Sequence, residues 1–332
     1  MDKLKVISLF SGIGAQERGL QELGIDYELL NYCEIDDGKA KAYSLLHNEP
    51  IEKRWKDITL INKQEIKQCD LVVYSPPCQG WSKAGKELGL NDIRSTLFWN
   101  ALDVIKAANP KHAIMENVDN LPNRFTDEFK EMLRCLDDAG YNNYWQIISA
   151  KDFWPQNRDR VYIVSIRKDI DDNTYKFPCG NDASNWWDKI DPYDTRELTG
   201  RQKRMVDYAK GLNNDDNIKL EGEVRFDNTV ITLRQSGLRF QSNREHPTIT
   251  AYMGKGGGNF TILAYKNHIG GIKPRGCFKL MGFKEEDCDL LQQNGFSVSS
   301  LYVMAGDSVV VPVIREIERN LLNDYINNNI KQ

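Results

Sequence analysis

The chain has 332 residues, 40% hydrophobic and 28% charged, with a formal net charge of −4 at pH 7. That is long and apolar enough for two cores and excludes a disordered or collagen-like chain. The longest unbroken apolar runs, LVVY at 71–74 and VVVPVI at 309–314, are far shorter than the roughly 18 residues a membrane span needs. The opening MDKLKVISLFSG lacks the cleavage site of a secretory signal. Seven cysteines, odd in number and never spaced C-x-x-C, with four histidines, argue against a zinc site or disulfide framework and point to a reducing cytoplasm.

Strand-like and helix-like segments alternate through the first 170 residues. LKVISLF (4–10), YELLNYCEI (27–35), DLVVYSP (70–76), HAIMENV (112–118), YWQIISA (144–150) and RVYIVSI (160–166) have the short, β-branched and aromatic character of buried strands. Between them, AQERGLQELG ends on Gly24 and STLFWNALDVIKAA stops before Asn109-Pro110. Thr126 is placed to cap TDEFKEMLRCLDDAG, which ends on Gly140. This alternation predicts an α/β fold, a doubly wound and mostly parallel sheet with helices on both faces. It is assigned to residues 1–175 and completed by 301–332, where Ile314, Ile317, Leu321, Leu322 and Tyr325 mark one apolar helical face that returns to the first domain.

Residues 176–300 lose this regularity, with Asn/Asp-rich, Gly-rich and basic stretches that predict a second, smaller, irregular domain. Charge is segregated there. From Arg225 to Leu280 nine Lys/Arg face two acids, a segment of +7 that leaves −11 for the rest of the chain. Gln, Asn, Ser and aromatic residues are interleaved with those cations, a composition suited to base edges and phosphates.

Three clusters carry chemistry. FSGIGAQERGL (10–20) puts a G-x-G turn between a strand and a helix, and Glu34 follows at the end of the second strand, where a carboxylate accepts ribose hydroxyls. Glu17 stands where a dehydrogenase fingerprint has its third glycine, and an acid there would repel pyrophosphate, so a nucleoside cofactor without phosphates fits better. SPPCQGWS (75–82) sets Cys78 at the carboxyl edge of the sheet, between two prolines and a Gly-containing polar segment. MENV (115–118) and QNRDR (156–160) bring an acid and two arginines to neighbouring strands; alone, Glu116 and Arg160 read as a structural ion pair.

In this order, FSGIG, YCEID, KDIT, PPCQ, STLF, ENV, QNRDR, RGCFKLMGF and AGDSVVVPV resemble the cytosine-C5 DNA methyltransferase family over nearly the whole chain. The resemblance implies a Rossmann-like methyltransferase domain and a smaller target-recognition domain. It implies S-adenosylmethionine as cofactor, leaving as S-adenosylhomocysteine, with Phe10, Gly12, Ile13, Gly14, Glu34, Ile35, Asp57, Ile58, Pro77, Leu97, Asp307 and Ser308 around it. Taken alone, Asp57 in KDIT is an Asx turn or helix cap. The resemblance makes Cys78 the nucleophile that adds to cytosine C6, and Glu116 the acid at N3, which must be protonated or share a proton. Arg158 and Arg160 match the paired arginines that orient that acid, the O2 carbonyl and nearby phosphate.

The target cytosine must leave the duplex stack. Residues 79–94, with Lys83, are the loop expected to close over it. Arg234, Arg239, Gln241, Arg244, Thr250, Lys255, Gly256 and Gly257 are the expected DNA contacts. The chain departs from the family pattern at Ala15, where a second glycine is usual, and at Asp307, where Asn is usual. The expected partner is double-stranded DNA, with no membrane and no metal, a monomeric state, and a cognate restriction endonuclease as a candidate companion. A transfer-RNA cytosine-5 methyltransferase and an inactive DNA-binding regulator on the same scaffold are the alternatives. SPPCQGWS with a long recognition region disfavours the first, and intact Cys78, Glu116, Arg158 and Arg160 disfavour the second.

Overall fold

In the computed structural model, which describes residues 3–77, 97–181, 185–215, 217–241, 245–255 and 259–330 (main chain only at 254–255 and 327–330), all six expected strands are present. Cys78, Lys83, Arg244, Gly256, Gly257 and the 79–94 loop lie outside the described residues. The chain divides into two units: Met1–Ser149 with Asp159–Cys179 and Val311–Gln332, and Ala150–Arg158 with Gly180–Val310.

Unit 1 holds a seven-stranded sheet. With elements numbered in chain order, β1 (Leu4–Leu9), β2 (Tyr27–Cys33), β3 (Arg54–Trp55), β4 (Leu71–Tyr74) and β5 (His112–Val118) run parallel. β6 (Tyr141–Ser149) and β8 (Asp159–Arg167) close the sheet antiparallel, in the order β3-β2-β1-β4-β5-β8-β6. The helices are α1 (Ala15–Glu22), α2 (Asp37–His47), α3 (Leu97–Ala108), α4 (Asn120–Arg124), α5 (Thr126–Asp138), α10 (Val311–Leu321) and α11 (Asn323–Ile330). β4 is buried at every position because helices cover both faces of a parallel sheet, hence its continuous LVVY run. Its core neighbours include Ile7, Leu9, Ala113, Met115, Phe98, Leu102 and Ile105.

Gly24 and Gly140 end α1 and α5 with φ of 68° and 97°, left-handed values that cost glycine nothing. Thr126 differs from expectation. It is the first residue of α5, Phe125 holds the cap position, and the Thr126 hydroxyl donates to the Pro122 carbonyl within α4. α10 packs on α1 closely enough that a Cβ at Gly19 would run into the Glu318 carboxylate, and Arg315 pairs with Glu22 at 2.9 Å.

Unit 2 is more regular than its composition predicts. β9 (Thr195–Arg196), β10 (Lys219–Glu221), β11 (Thr229–Leu233), β12 (Gly237–Gln241), β14 (Phe260–Tyr265) and β15 (His268–Ile272) form one sheet in the order β10-β12-β11-β14-β15-β9. Its pairings are antiparallel except β10 with β12. The strands are short and their corners are polar, which hides them from periodicity. Lys266 and Asn267, both at positive φ, make the tight turn between β14 and β15. A second pairing joins β7 (Gln156–Asn157) to β13 (His246–Pro247). α6 (Gly200–Ala209), α7 (Pro274–Leu280), α8 (Glu285–Gln293) and α9 (Val298–Asp307) complete the unit.

Val298–Leu321 contains no long unbroken apolar run, yet its mean hydropathy of 1.3 over 18 residues would suffice for a membrane span by length and composition. That segment is divided between α9 and α10, and 67% of the window is buried.

Candidate active site

The β1–α1 turn is held open by backbone geometry. Phe10, Gly12 and Gly14 have φ of 55°, 56° and 79°, and the strain at Phe10, the one of the three with a side chain, falls where the turn leaves β1. Gly14 also lacks room for a side chain, because a Cβ there would enter the His47 imidazole. His47 is buried, lies tilted against the Tyr43 ring at 4.7 Å between centroids, and bonds the Ile13 carbonyl through Nε2 at 3.0 Å. Burial lowers its pKa to about 4, so the ring is neutral. Gly12 is different: a Cβ there would meet nothing within 4 Å, and its N–H donates to Glu34 Oε2 at 2.9 Å.

Glu34 thus closes the loop from the end of β2, accepting from Asp36 N through its other oxygen at 2.9 Å. Burial raises its pKa against the lowering effect of those two bonds. Beside it Ile35 is 66% exposed. Asp57 caps the short 3-10 turn that follows, accepting from Thr59 N and Thr59 Oγ1 at 2.9 and 2.8 Å, the Asx-type role its local sequence predicts. Ile13 and Ile58 are buried, whereas Leu60 is 81% exposed. Pro77 and Leu97 are half-buried. Among the described residues, a free space at Gly12, a carboxylate at the end of β2 and the exposed side chains of Ile35 and Leu60 are compatible with a nucleoside.

At the end of β5 the register sets the acid. β5 and β8 pair Glu116 with Tyr162 and Val118 with Arg160, so Glu116 and Arg160 stand diagonally on one face. Arg160 Nε lies 3.1 Å from Glu116 Oε1, and both side chains are largely buried. The next residue, Asn117, donates from Nδ2 to the Pro76 carbonyl at 3.2 Å and accepts from Val118 N at 2.8 Å. Gln16, in α1, donates to the Ser75 hydroxyl at 3.3 Å. The chain running toward Cys78 is therefore anchored from β5 and from α1. Neither Asn117 nor Gln16 was among the residues expected from sequence, although Asn117 sits in ENV; a buried amide next to a buried acid is the signal.

Arg158 bonds main-chain carbonyls. It lies in unit 2, buried, with Nη1 donating to the Ile249 carbonyl at 3.2 Å and Nη2 to the carbonyls of Gly306 and Ser308 at 3.4 and 2.8 Å. Gln156, also fully buried, accepts from Ile249 N at 3.3 Å and donates to the Leu280 carbonyl at 2.8 Å. Ser308 is buried and Asp307, the last residue of α9, is exposed.

Arg239 and Gln241 project from one face of β12, opposite the buried Leu238 and Phe240. Gln241 donates to Thr232 Oγ1 at 3.4 Å, and Arg234 pairs with Glu221 at 3.4 Å. Thr250 precedes a 3-10 turn (Ala251–Lys255), and its buried hydroxyl has no hydrogen-bond partner among the described residues.

A mostly parallel sheet with a glycine turn after β1, an acid after β2 and an acid–arginine pair at β5 and β8 defines an α/β methyltransferase. The pattern of the C-5 cytosine-specific DNA methylase family matches residues 4–323, and the chain belongs to that family. Among its relatives, a Type II methyltransferase, M.Bsp6I, from Bacillus sp. (strain RFL6) is 32% identical over 97% of this chain and 100% of that protein. Another Type II methyltransferase, M.FnuDI from Fusobacterium nucleatum, is 27% identical over 96% of this chain and 94% of its own length. The orphan methyltransferase M.Rho11sI of Bacillus phage rho11s is 38% identical, but that match takes in 52% of this chain and only 35% of the phage protein. The fold is shared with the S. pombe Dnmt2 methyltransferase, at a TM-score of 0.67 and 19% identity over 97% of this chain and 99% of that one. It is also shared with the Entamoeba histolytica methyltransferase EhMeth, at a TM-score of 0.69 and 18% identity over 100% of both chains.

Proposed function

We propose that this DNA (cytosine-5-)-methyltransferase acts on a cytosine flipped out of duplex DNA at a specific sequence, with Cys78 as nucleophile and Glu116 and Arg160 as the groups that activate the ring. The buried Glu116–Arg160 pair, next to the Asn117 bond that anchors Pro76, carries this reading.

Cytosine C5 is a poor nucleophile. Addition of the Cys78 thiolate to C6 turns the ring into an enamine, and a proton shared by Glu116 at N3 relieves the negative charge that addition creates. Arg160 holds the Glu116 carboxyl in place. S-adenosylmethionine, when bound, supplies the electrophilic methyl group. Phe10, Gly12, Ile13, Gly14, Glu34, Ile35, Asp57, Ile58, Pro77 and Leu97 are assigned to hold it, Glu34 accepting from the ribose, and the family pattern adds Asp307 and Ser308. A base then removes the C5 proton and the thiolate leaves.

Recognition is assigned to unit 2. Arg234, Arg239, Gln241 and Arg244 have side chains able to read guanine or adenine edges. Thr250, Lys255, Gly256 and Gly257 are assigned to DNA contact, the glycine run letting the main chain enter a groove closely, and Lys83 to the loop that closes over the flipped base.

A duplex carrying 5-fluorocytosine at the target tests the chemistry, because fluorine cannot leave as the C5 proton does. Incubation with S-adenosylmethionine should give a denaturation-resistant complex, and Cys78→Ala should give none while still binding the duplex. A complex formed with transfer RNA but not with duplex DNA would overturn the substrate assignment, and the absence of any complex would overturn the covalent route.

A further inference from the structure

We infer that Arg158 is a positioning residue that makes the binding of cofactor and of DNA mutually dependent; the inference rests on the assignment of Thr250 to DNA and of Asp307–Ser308 to cofactor. Two segments of unit 2 meet at their main chains. A Cβ on Gly306, in the last turn of α9, would run into the backbone of Thr250 and Ala251, so the end of that helix lies directly against the segment that follows Ile249. Arg158 ties both sides of this contact. One guanidinium nitrogen holds the Ile249 carbonyl, and the other holds the carbonyls of Gly306 and Ser308.

The same short stretch grips Ile249 a second time, because Gln156 accepts from its N–H. The pairing of His246 and Pro247 with Gln156 and Asn157 extends that grip along the chain. Both main-chain groups of Ile249 are thus fixed, and the following residue is the Thr250 whose hydroxyl is buried and unpartnered among the described residues. A planar fork with several donors suits this task, whereas a lysine offers a single ammonium that cannot span three carbonyls in one geometry.

A segment that binds DNA and a turn that binds cofactor, locked to one charged group, move together. Ordering one lowers the cost of ordering the other, and the effect is reciprocal. The duplex should therefore bind more tightly when S-adenosylhomocysteine is present, by a factor within the range of about 5 to 150 typical of such coupling.

The experiment measures dissociation constants of the full-length protein for a duplex containing its target, with and without saturating S-adenosylhomocysteine, together with the dissociation constant for S-adenosylhomocysteine alone. The variants are Arg158→Lys and Gln156→Met, each checked for folding by thermal melting. The wild type should show at least about a fivefold enhancement. Arg158→Lys should reduce it below about twofold and raise KM for duplex and cofactor by larger factors than it lowers kcat. Gln156→Met, which frees the Ile249 N–H without touching the guanidinium, should also weaken the enhancement. Strictly additive binding in the wild type would overturn the inference, as would an intact enhancement in a folded Arg158→Lys protein. A collapse of kcat with both KM values and the enhancement unchanged would do so too, because it would place Arg158 at the reacting base. A wild type that bound neither duplex nor S-adenosylhomocysteine would overturn the proposed function itself.

Discussion

One hydrogen atom at position 14 separates the β1–α1 turn from the buried ring of His47. Gly14→Ala therefore meets two costs, a left-handed backbone and a clash. It should lower stability by about 1–3 kcal/mol in urea unfolding, and His47→Ala in the same chain should recover part of that loss. At Gly12 the glycine leaves room instead of packing against a neighbour, so the two glycines of the motif do different work. Glu34→Ala should weaken S-adenosylhomocysteine binding by about 1.5–3 kcal/mol, the worth of hydrogen bonds to a charged group. Because burial raises the Glu34 pKa, its carboxylate is lost at higher pH than an exposed glutamate's. Wild-type cofactor affinity should accordingly begin to fall early as pH is lowered, in calorimetric titrations, and Glu34→Gln should remove that component. Glu116→Gln should lower kcat by about 100-fold or more while duplex affinity stays close to wild type, as expected for an acid that acts on the reacting ring. Residue types and motif order made Glu116, Arg160, Glu34 and Gly12 legible in the sequence. Arg158 was expected to share with Arg160 the task of orienting the acid; the three carbonyls it bonds were not legible, because they come from segments at separations of 91, 148 and 150.

Among the elements, α1 and α10 meet over a pair of acids. Glu318 is fully buried, and neither of its carboxyl oxygens has a hydrogen-bond partner among the described residues. Burial, with the charges of Glu17 and Glu22 on α1, raises its pKa well above the ordinary range, and burial also raises that of Glu17. The folded protein holds the Glu318 proton more tightly than the unfolded chain does. The stabilisation that results is complete below the unfolded pKa and disappears as pH rises through the folded one. Melting temperature should decline toward alkaline pH, and Glu318→Gln, which keeps the shape without the ionisation, should flatten that decline. On β12, Arg239 stands on the polar face with Gln241; if it reads a base, Arg239→Ala should relax preference at one position by roughly 1–3 kcal/mol in competition binding. The long buried strands of unit 1 announced themselves as unbroken apolar runs. The sheet of unit 2 did not, although β11 and β14 are at least as long and as buried as β4, because its strands follow one another through asparagine-bearing corners without the alternating helices that mark those of unit 1.

At the scale of the whole molecule, an overall charge of −4 conceals a segment of +7, nine Lys/Arg against two acids, within unit 2. Duplex affinity should fall linearly with the logarithm of salt concentration, with a slope of about −0.9 per phosphate neutralised. Whichever of Arg234, Arg239 and Arg244 holds a phosphate should lower that slope by about one when removed. Arg234 must first release Glu221, its partner in the free chain at 3.4 Å, so Glu221→Gln should strengthen binding if Arg234 is such a contact.

Unit 1 draws its first helix from near residue 15 and the helix that packs on it from residues 311–321, with unit 2 encoded almost entirely between them. On a ribosome adding roughly 5–20 residues per second, α1 waits tens of seconds for α10, and during that interval unit 2 is already made. The nascent chain thus acquires the unit to which DNA recognition is assigned before unit 1 can be sealed. Chains arrested after residue 310 should be cut by protease within α1 although unit 2 resists, so an unfinished translation product has no completed catalytic unit with which to modify DNA.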